Sequence, residues 1–435
     1  MVVEGVGTPA SGPRDVLIEG NRIVQVGRVR EPVDAVIDGA GKYVLPGLIN
    51  MHGHLHQERA GMPMDVNYVL KLWLACGITT VRDVGSDFEK SKALRTKSAS
   101  GEIAAPRIFL YPFFGTVKTQ DEARQRIRDL KAGGADGVKF LGMYRDLFEP
   151  AALEMKSLGL GRAHHIGVEE TNAWDEIRAG SPGTIEHWYG IPDAALADGV
   201  QKFPPSFNYS NEVDRFRYAG RLWREVDPAR LTKVLAAMVE AGIVWDPTFN
   251  IYEASRDVSR AQNQPWFKLY LHPALEKFFE PSLESHGSYF FNWSTEDEIY
   301  WKENYRIWMK AVREFERLGG VVTTGEDAGY IYQMYGVGLL RELELHQEAG
   351  FQPLEVVRHA THNGAKALGK SFEIGRVRAG WLADLIVVNG NPLANFKILY
   401  PMGTDAGKLE WTIKDGIPYH VPILWNDVKH MAKKR

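Results

Sequence analysis

The sequence predicts an α/β fold: a (β/α)8 TIM barrel carrying a small composite β-sandwich domain built from both chain ends. Three observations carry this. Between Lys42 and Ala328 one pattern recurs, a short run rich in Val, Ile, Leu or Phe and then an amphipathic stretch of helical period. The pattern occurs eight times, and eight parallel strands joined by crossovers close into a barrel. Residues 14–38 and 374–417 instead alternate apolar and polar side chains around Gly turns, as short antiparallel strands do.

In chain order the eight runs are KYVLPGLINMHGH (42–54), GITTVRDVG (77–85), RIFLYP (107–112), ADGVKFLG (135–142), GLGRAHHIG (159–167), GTIEHWYG (183–190), GIVWDPTF (242–249) and GGVVTTGEDAG (319–329). Helix starts between them have a chemical reason. Thr119 with Glu122 fits a capping box, and Asp227 before Pro228 fits an N-cap followed by proline in the first turn. The expected division is 1–46 and 371–435 for the two parts of the β-sandwich and 47–370 for the barrel. Two stretches near 200–226 and 255–298 are rich in Trp, Tyr and Phe and exceed ordinary βα loops, so they either cover the mouth or pack an extra lobe.

Composition excludes several classes. With 435 residues, 43 Gly, 22 Pro and a formal net charge of -3, the chain is neither disordered nor collagenous, and it has no basic footprint for nucleic acid. Its single Cys76 cannot form an internal disulfide and reads as a buried, inert thiol in an apolar helix. No apolar run reaches the ~18 residues of a membrane span, and no leader is visible. Met1, Val2 and Val3 read as the end of a strand whose beginning is missing, so the compartment stays open between cytoplasm and export with a leader absent from this chain.

The chemistry starts at His52-Gly53-His54, which ends the first run. Residues two apart on a strand point the same way, so both imidazoles face one side at the end where barrels build their sites. Lys139 interrupts the fourth run, His164 ends the fifth, His187 ends the sixth and Asp327 ends the eighth. Lys139 either pairs with a carboxylate such as Asp136 or Asp83, or becomes a metal-bridging carbamate by taking up CO2. His165 would point to the opposite face from His164 and is expected to pack, while His56 lies beyond the strand end and faces a ligand residue or the substrate. The P-loop pattern in GAKALGKS (364–371) follows a helix rather than a strand and is a coincidence.

Together the segments VLPGLINMHGHLH (44–56), GADGVKF (134–140), AHHIG (163–167), TIEHW (184–188), TGEDAG (324–329), ATHNGAKALG (360–369) and GRVRAGWLADLIVVNGNPL (375–393) make the chain resemble metal-dependent amidohydrolases of the imidazolonepropionase-like and prolidase-like branch. The resemblance spans essentially the whole chain. It implies that His52, His54 and Asp327 bind one divalent metal and His164 and His187 the other, with a carboxylated Lys139 bridging the pair and Asp327 acting as the catalytic proton carrier. Trp188 stands where glycine is usual, Glu326 where threonine is usual, and the region after the sixth strand is enlarged, so the substrate is where this chain departs from the pattern.

The expected activity is hydrolysis of an amide bond of a small molecule, a dipeptide or N-acyl amino acid with a bulky apolar part, by a hydroxide between two metals, with zinc first among divalent candidates. Ring opening or deamination of a cyclic amide or amidine is the alternative, and an inactive barrel serving as a binding protein is a third reading. Candidate substrate contacts are His56, Trp188, Tyr189 and Arg221; Arg221 belongs to a set, with Arg215, Arg217 and Arg224, that either binds a substrate carboxylate or forms a solvated helix face. No nucleic acid or membrane partner is expected, and a homo-oligomer is compatible with the sequence.

Overall fold

The computed structural model of the chain describes residues 1–167, 171–199, 201–208, 211–282, 292–401 and 407–433, so parts of both aromatic-rich stretches lie outside the described residues. Eight parallel strands follow the eight runs: Leu48–Gly53 (β1), Ile78–Val84 (β2), Arg107–Tyr111 (β3), Gly137–Leu141 (β4), Gly161–His165 (β5), Gly183–Glu186 (β6), Val244–Asp246 (β7) and Val321–Val322 (β8). They pair in sequence order as β1-β2-β3 and β4-β5-β6-β7-β8. Hydrogen bonds at both seams join the two sets into one ring. Phe114 N donates to Lys139 O (2.9 Å) between β3 and β4, and Met51 N donates to Thr324 O (2.9 Å) between β1 and β8.

Register decides which side chains enter the barrel. Thr80, Arg82 and Val84 align with Arg107, Phe109 and Tyr111, and Ala163 aligns with Lys139 and with Thr184. Ile49, Met51, Val84, Phe109, Tyr111 and Ala163 accordingly share one interior cluster. Their neighbours of opposite parity, Val138 and Phe140, pack outward against Phe148, Ala151 and Met155 of the helix Arg145–Leu158. The interior is polar higher up, where Arg82, Glu186 and Asp246 are all buried.

The helices begin at the expected residues, although Glu122 Oε2 accepts from Lys118 N (2.7 Å) and not from Thr119 N, so the reciprocal half of that capping box is displaced by one residue. Thr119 accepts from Glu122 N at the head of Gln120–Ala132, and Asp227 accepts from Arg230 N with Pro228 in the first turn of Pro228–Glu240. The long helix Thr295–Arg317 starts from a capping box between Ser294 and Asp297. It packs on Glu212–Leu222, and together they bury Trp188, Trp223, Trp301 and Trp308 in an aromatic lobe beside the end of β6.

Both chain ends meet in one antiparallel sheet, where Tyr43–Pro46 pairs with Leu385–Val388, followed by Leu409–Lys414 and Ile417–His420. A hairpin of Asp15–Glu19 and Arg22–Gly27 joins it through Ile23 N to Trp381 O (3.0 Å), and Val2, Ile23, Leu385, Val387 and Ile413 fill the space between. The terminal helix Val421–Lys433 lies against Val66–Ala75 on the barrel's flank. Among the described residues no helix is long and apolar enough to cross a membrane.

Candidate metal centre

The donors gather where β1, β4, β6 and β8 end. His54 Nε2 lies 2.9 Å and His52 Nε2 3.5 Å from Asp327 Oδ1, while His187 Nε2 lies 3.6 Å from Asp327 Oδ2. Lys139 Nζ is 3.2 Å from His52 Nε2. His52, His187 and Asp327 each offer one ligand atom within 4.8 Å of the other two.

Local backbone features aim these groups. The pairing of β1 with β2 is irregular between Asn50 and Gly53, and Asn50 Oδ1 there accepts from His52 N (3.1 Å) and Glu326 N (3.2 Å). This kink turns His52 inward although Ile49 and Met51 already occupy the interior, as bulges near active sites do. His187 (φ 62°), Thr248 (φ 47°) and Asp327 (φ 46°) all have left-handed backbones that side chains other than glycine adopt at a cost. Two of the three carry donors, and the third, Thr248, touches the donor His187.

Behind the donors lies a charged layer. His52 Nδ1 is 2.6 Å from Glu186 Oε2; an ionised carboxylate can only accept, so Nδ1 carries the proton and Nε2 presents its lone pair to the centre. Glu186 also receives Arg82 Nη2 (2.7 Å). Burial raises the Glu186 carboxyl, but Arg82 and Lys139 outweigh it and hold it below the ordinary range, whereas burial and the Glu186 charge push Asp246 well above. Of this carboxylate pair, Asp246 is thus the one more readily protonated. Thr248 Oγ1 lies 2.5 Å from His187 Nδ1 and holds the orientation of that ring, though a hydroxyl, which can donate or accept, does not by itself choose its tautomer.

Electrostatics prepare the donors for a cation. Burial, aided by Lys139 for His52 and by His52 for His187, lowers both imidazoles well below their usual value, so both are neutral. Burial raises the Asp327 carboxyl, but His52, His54 and Lys139 outweigh it and keep it ionised. Burial brings the Lys139 ammonium down to about 8 against the opposing pull of Glu186 and Asp327. Among the described residues His187 Nε2 is buried with no hydrogen-bond partner. An orphaned neutral imidazole nitrogen among buried donors fits a divalent metal.

The structure brings together His52, His54, Lys139, His187 and Asp327, but not His164. Ala163 faces Lys139 inside, so His164, one residue on, points out of the barrel. Its ring lies 4.8 Å from that of Phe148, and Nδ1 bonds Glu176 Oε1 (2.7 Å) of the surrounding helix layer. His165 takes the inward position instead, with its ring 4.6 Å from that of His187 and stacked on Tyr189 (5.0 Å). It is therefore His165, expected to face away, that borders the donor cluster, and His164, expected to face it, that is held in the helix layer.

Two of the four candidate substrate contacts are also misplaced. Trp188 is fully buried among Tyr189, Trp223, Trp301 and Trp308, and so belongs to the lobe's core. Arg221 sits on the lobe's outer side, 3.8 Å from Asp297 and over the Tyr300 ring, while Arg217 and Arg224 pair with Asp297 and Glu303. Tyr189 and His56 do border the donors: Tyr189 through His165, and His56 through a stacked contact with His54 at 5.2 Å. Glu186, Arg82 and Asp246 are not among the residues the motifs single out, yet each interrupts an apolar run just as Lys139 does.

Comparison with known proteins agrees with this architecture. Residues 309–408 match the model of the Amidohydrolase family. A Xaa-Pro dipeptidase with methionine bound in its active site superposes with a TM-score of 0.67 at 20% identity, covering 96% of this chain and 98% of that one. A bottromycin amidohydrolase gives a TM-score of 0.69 at 16% identity, over 99% and 89% of the two chains. A dihydroorotase of Syntrophotalea carbinolica is 33% identical over 128 residues, 28% of this chain and 30% of that protein, so the match spans less than a third of its length. Over nearly its whole length the chain shares the fold of these solved hydrolases. Its neighbours include the prolidase-like branch that its motifs resemble.

Proposed function

We infer that the protein is a metal-dependent hydrolase of carbon–nitrogen bonds acting on a small amide, a dipeptide or N-acyl amino acid. The observation that carries this reading is the convergence of neutral His52 and His187, His54 and ionised Asp327 on one point at the C-terminal end of the barrel strands. His52, His54 and Asp327 would hold one divalent cation, and His187 with His165 the other, zinc being first in line for a set of imidazoles and carboxylate oxygens. Lys139 would bridge them as a carbamate, a modification that requires a neutral amine; its ammonium at about 8 is easier to deprotonate than an ordinary lysine. When bound, such a pair lowers the pKa of the water it holds and polarises the scissile carbonyl.

The chain's own residues do the rest. Asp327, ionised and 2.9 Å from His54 Nε2, accepts the attacking water's proton at its carboxylate and delivers it to the departing nitrogen. Tyr189, Tyr252 and Tyr330 wall the mouth, with Tyr252 5.5 Å from His187 and Tyr330 5.5 Å from His54, and offer an apolar surface to an acyl or side-chain group. The dihydroorotase match supports a second reading, opening of a cyclic amide by the same donors.

Metal analysis of the purified chain, with turnover of a panel of dipeptides, capped amino acids and cyclic amides, tests the proposal, with Asp327→Asn as control. Two divalent ions per chain and linear-amide hydrolysis lost about 10³-fold or more in the variant are expected. A chain that neither retains nor takes up zinc and is equally inert in both forms overturns it.

A further inference from the structure

The chain's buried arginines are paired with carboxylates: Arg82 with Glu186 (2.7 Å), Arg162 with Glu176 (2.7 Å) and Arg341 with Glu253 (2.6 Å). Arg59 is different. It lies in a small hairpin formed by Glu58–Arg59 and Met62–Pro63, turned at Ala60 and Gly61 with φ of 50° and 74°, that follows β1 and folds over the donors. It is half-buried, and among the described residues it forms no ion pair.

Its guanidinium is nevertheless fixed. Nε donates to Gly329 O (3.0 Å), two residues beyond Asp327. The plane lies over the rings of Tyr330 (4.6 Å to the centroid) and Phe278 (5.0 Å), and an Nη touches the His56 ring. Tyr335 Oη lies 2.6 Å and Tyr330 Oη 3.3 Å from the nitrogens of that imidazole. His56 in turn stacks on His54. A cation is thereby held one ring's width beyond the donor cluster, against aromatic faces and, among the described residues, without a counter-charge. Half-burying a guanidinium without an acidic partner is unfavourable unless an anion arrives to complete it.

We propose that Arg59, seated on Tyr330 beside His56, forms a carboxylate subsite that binds the free α-carboxylate of the residue on the leaving side of the scissile bond. This rests on the hydrolase reading above and deepens it by naming the side chain that reads the free carboxylate of such a substrate. A planar guanidinium offers two parallel N–H donors to such a group, which fixes distance and direction together. The spacing suits it, because only one residue separates the carbonyl carbon under attack from that carboxylate. The arginines of the aromatic lobe are poorer candidates, since Arg217, Arg221 and Arg224 are engaged by Asp297 and Glu303.

The test compares the best linear substrate of the panel with its C-terminal primary amide, in the metal-loaded wild-type protein and in Arg59→Gln, Arg59→Lys and Arg215→Gln. The wild type is expected to prefer the acid about 100-fold in kcat/KM. Arg59→Gln should reduce kcat/KM for the acid about 100-fold, chiefly through KM, and that for the amide far less, so that the preference collapses to within a few-fold. Arg59→Lys should retain part of it, and Arg215→Gln most of it. A wild type indifferent to the carboxylate, a preference lost only in Arg215→Gln, or equal losses on both substrates in Arg59→Gln overturns the proposal. Calorimetric binding of L-phenylalanine against L-phenylalaninamide separates the two readings. If no linear amide is turned over yet L-phenylalanine still binds in an Arg59-dependent way, the hydrolase reading fails and the subsite stands. If linear amides are cleaved and L-phenylalanine binds no better than its amide, the subsite fails alone.

Discussion

Glu186 Oε2 stands 2.6 Å from His52 Nδ1 on the side away from the donor cluster, while Arg82 Nη2 approaches the other oxygen of the same carboxylate at 2.7 Å. An imidazole gripped at Nδ1 by an ionised carboxylate has one tautomer and one orientation, and its Nε2 is more basic for it. Glu186→Gln keeps the shape and removes the charge. The expected result is a zinc affinity weakened about 10- to 100-fold with the fold intact, read by competition with a chromogenic chelator and by far-ultraviolet circular dichroism. Unchanged affinity would mean that the carboxylate serves only to neutralise Arg82.

The adjacent histidines of β5 provide a second comparison. His164 bonds Glu176 in the helix layer, and His165 faces His187 in the barrel. His165→Asn should therefore lower bound metal from about two ions per chain towards one. His164→Asn should leave that stoichiometry in place and instead lower stability by about 1–3 kcal/mol, because it leaves buried Glu176 with Arg162 alone. Elemental analysis and urea denaturation of the two variants distinguish the roles, and metal loss confined to His164→Asn would reverse the assignment.

That comparison also shows where sequence reading stops. The eight apolar runs located the barrel strands because a short hydrophobic run survives any choice of register. The phase of Ala163-His164-His165 did not survive it. Which of two consecutive histidines faces in is set by the alignment of Ala163 with Lys139, a contact between segments 24 residues apart in sequence. Alternation gave the right answer at His52 and His54 only because the irregularity after Asn50 shifts the phase there. Trp188 misled for a related reason: its place next to His187 in sequence suggested the mouth, but the next residue along a strand end points to the opposite face, into the lobe.

Trp188 supplies the third prediction. It touches Trp223, Trp301, Trp308 and Tyr252 with no exposed surface. Trp188→Ala should cost about 3–5 kcal/mol, the range for removing a large aromatic from a packed core, whereas Trp188→Phe should cost less and leave KM near the wild-type value. A KM raised ten-fold in Trp188→Phe without loss of stability would return this residue to the substrate pocket.

The fourth prediction concerns acid stability, far from the barrel mouth. His346 Nδ1 and His359 Nδ1 lie 2.9 Å apart in the core, and His359 Nε2 reaches Glu316 Oε1 at 2.7 Å. Burial lowers His359 to about 4, against the opposing pull of Glu316, so between the ordinary histidine value and about 4 the unfolded chain binds a proton that the folded chain refuses. Stability must then fall as pH is lowered through that window and level off for this group below it. Burial raises the Glu316 carboxyl, but His359 and Arg358 outweigh it and hold it at about 2, which adds a loss in the same direction from the ordinary carboxylate value downwards. Melting temperatures measured from pH 7 to pH 4 should decline more steeply for the wild type than for His359→Gln, with a difference on the order of 3 kcal/mol across the window. Parallel declines would show that His359 carries its proton in both states and that the buried histidine pair is held by something other than neutrality.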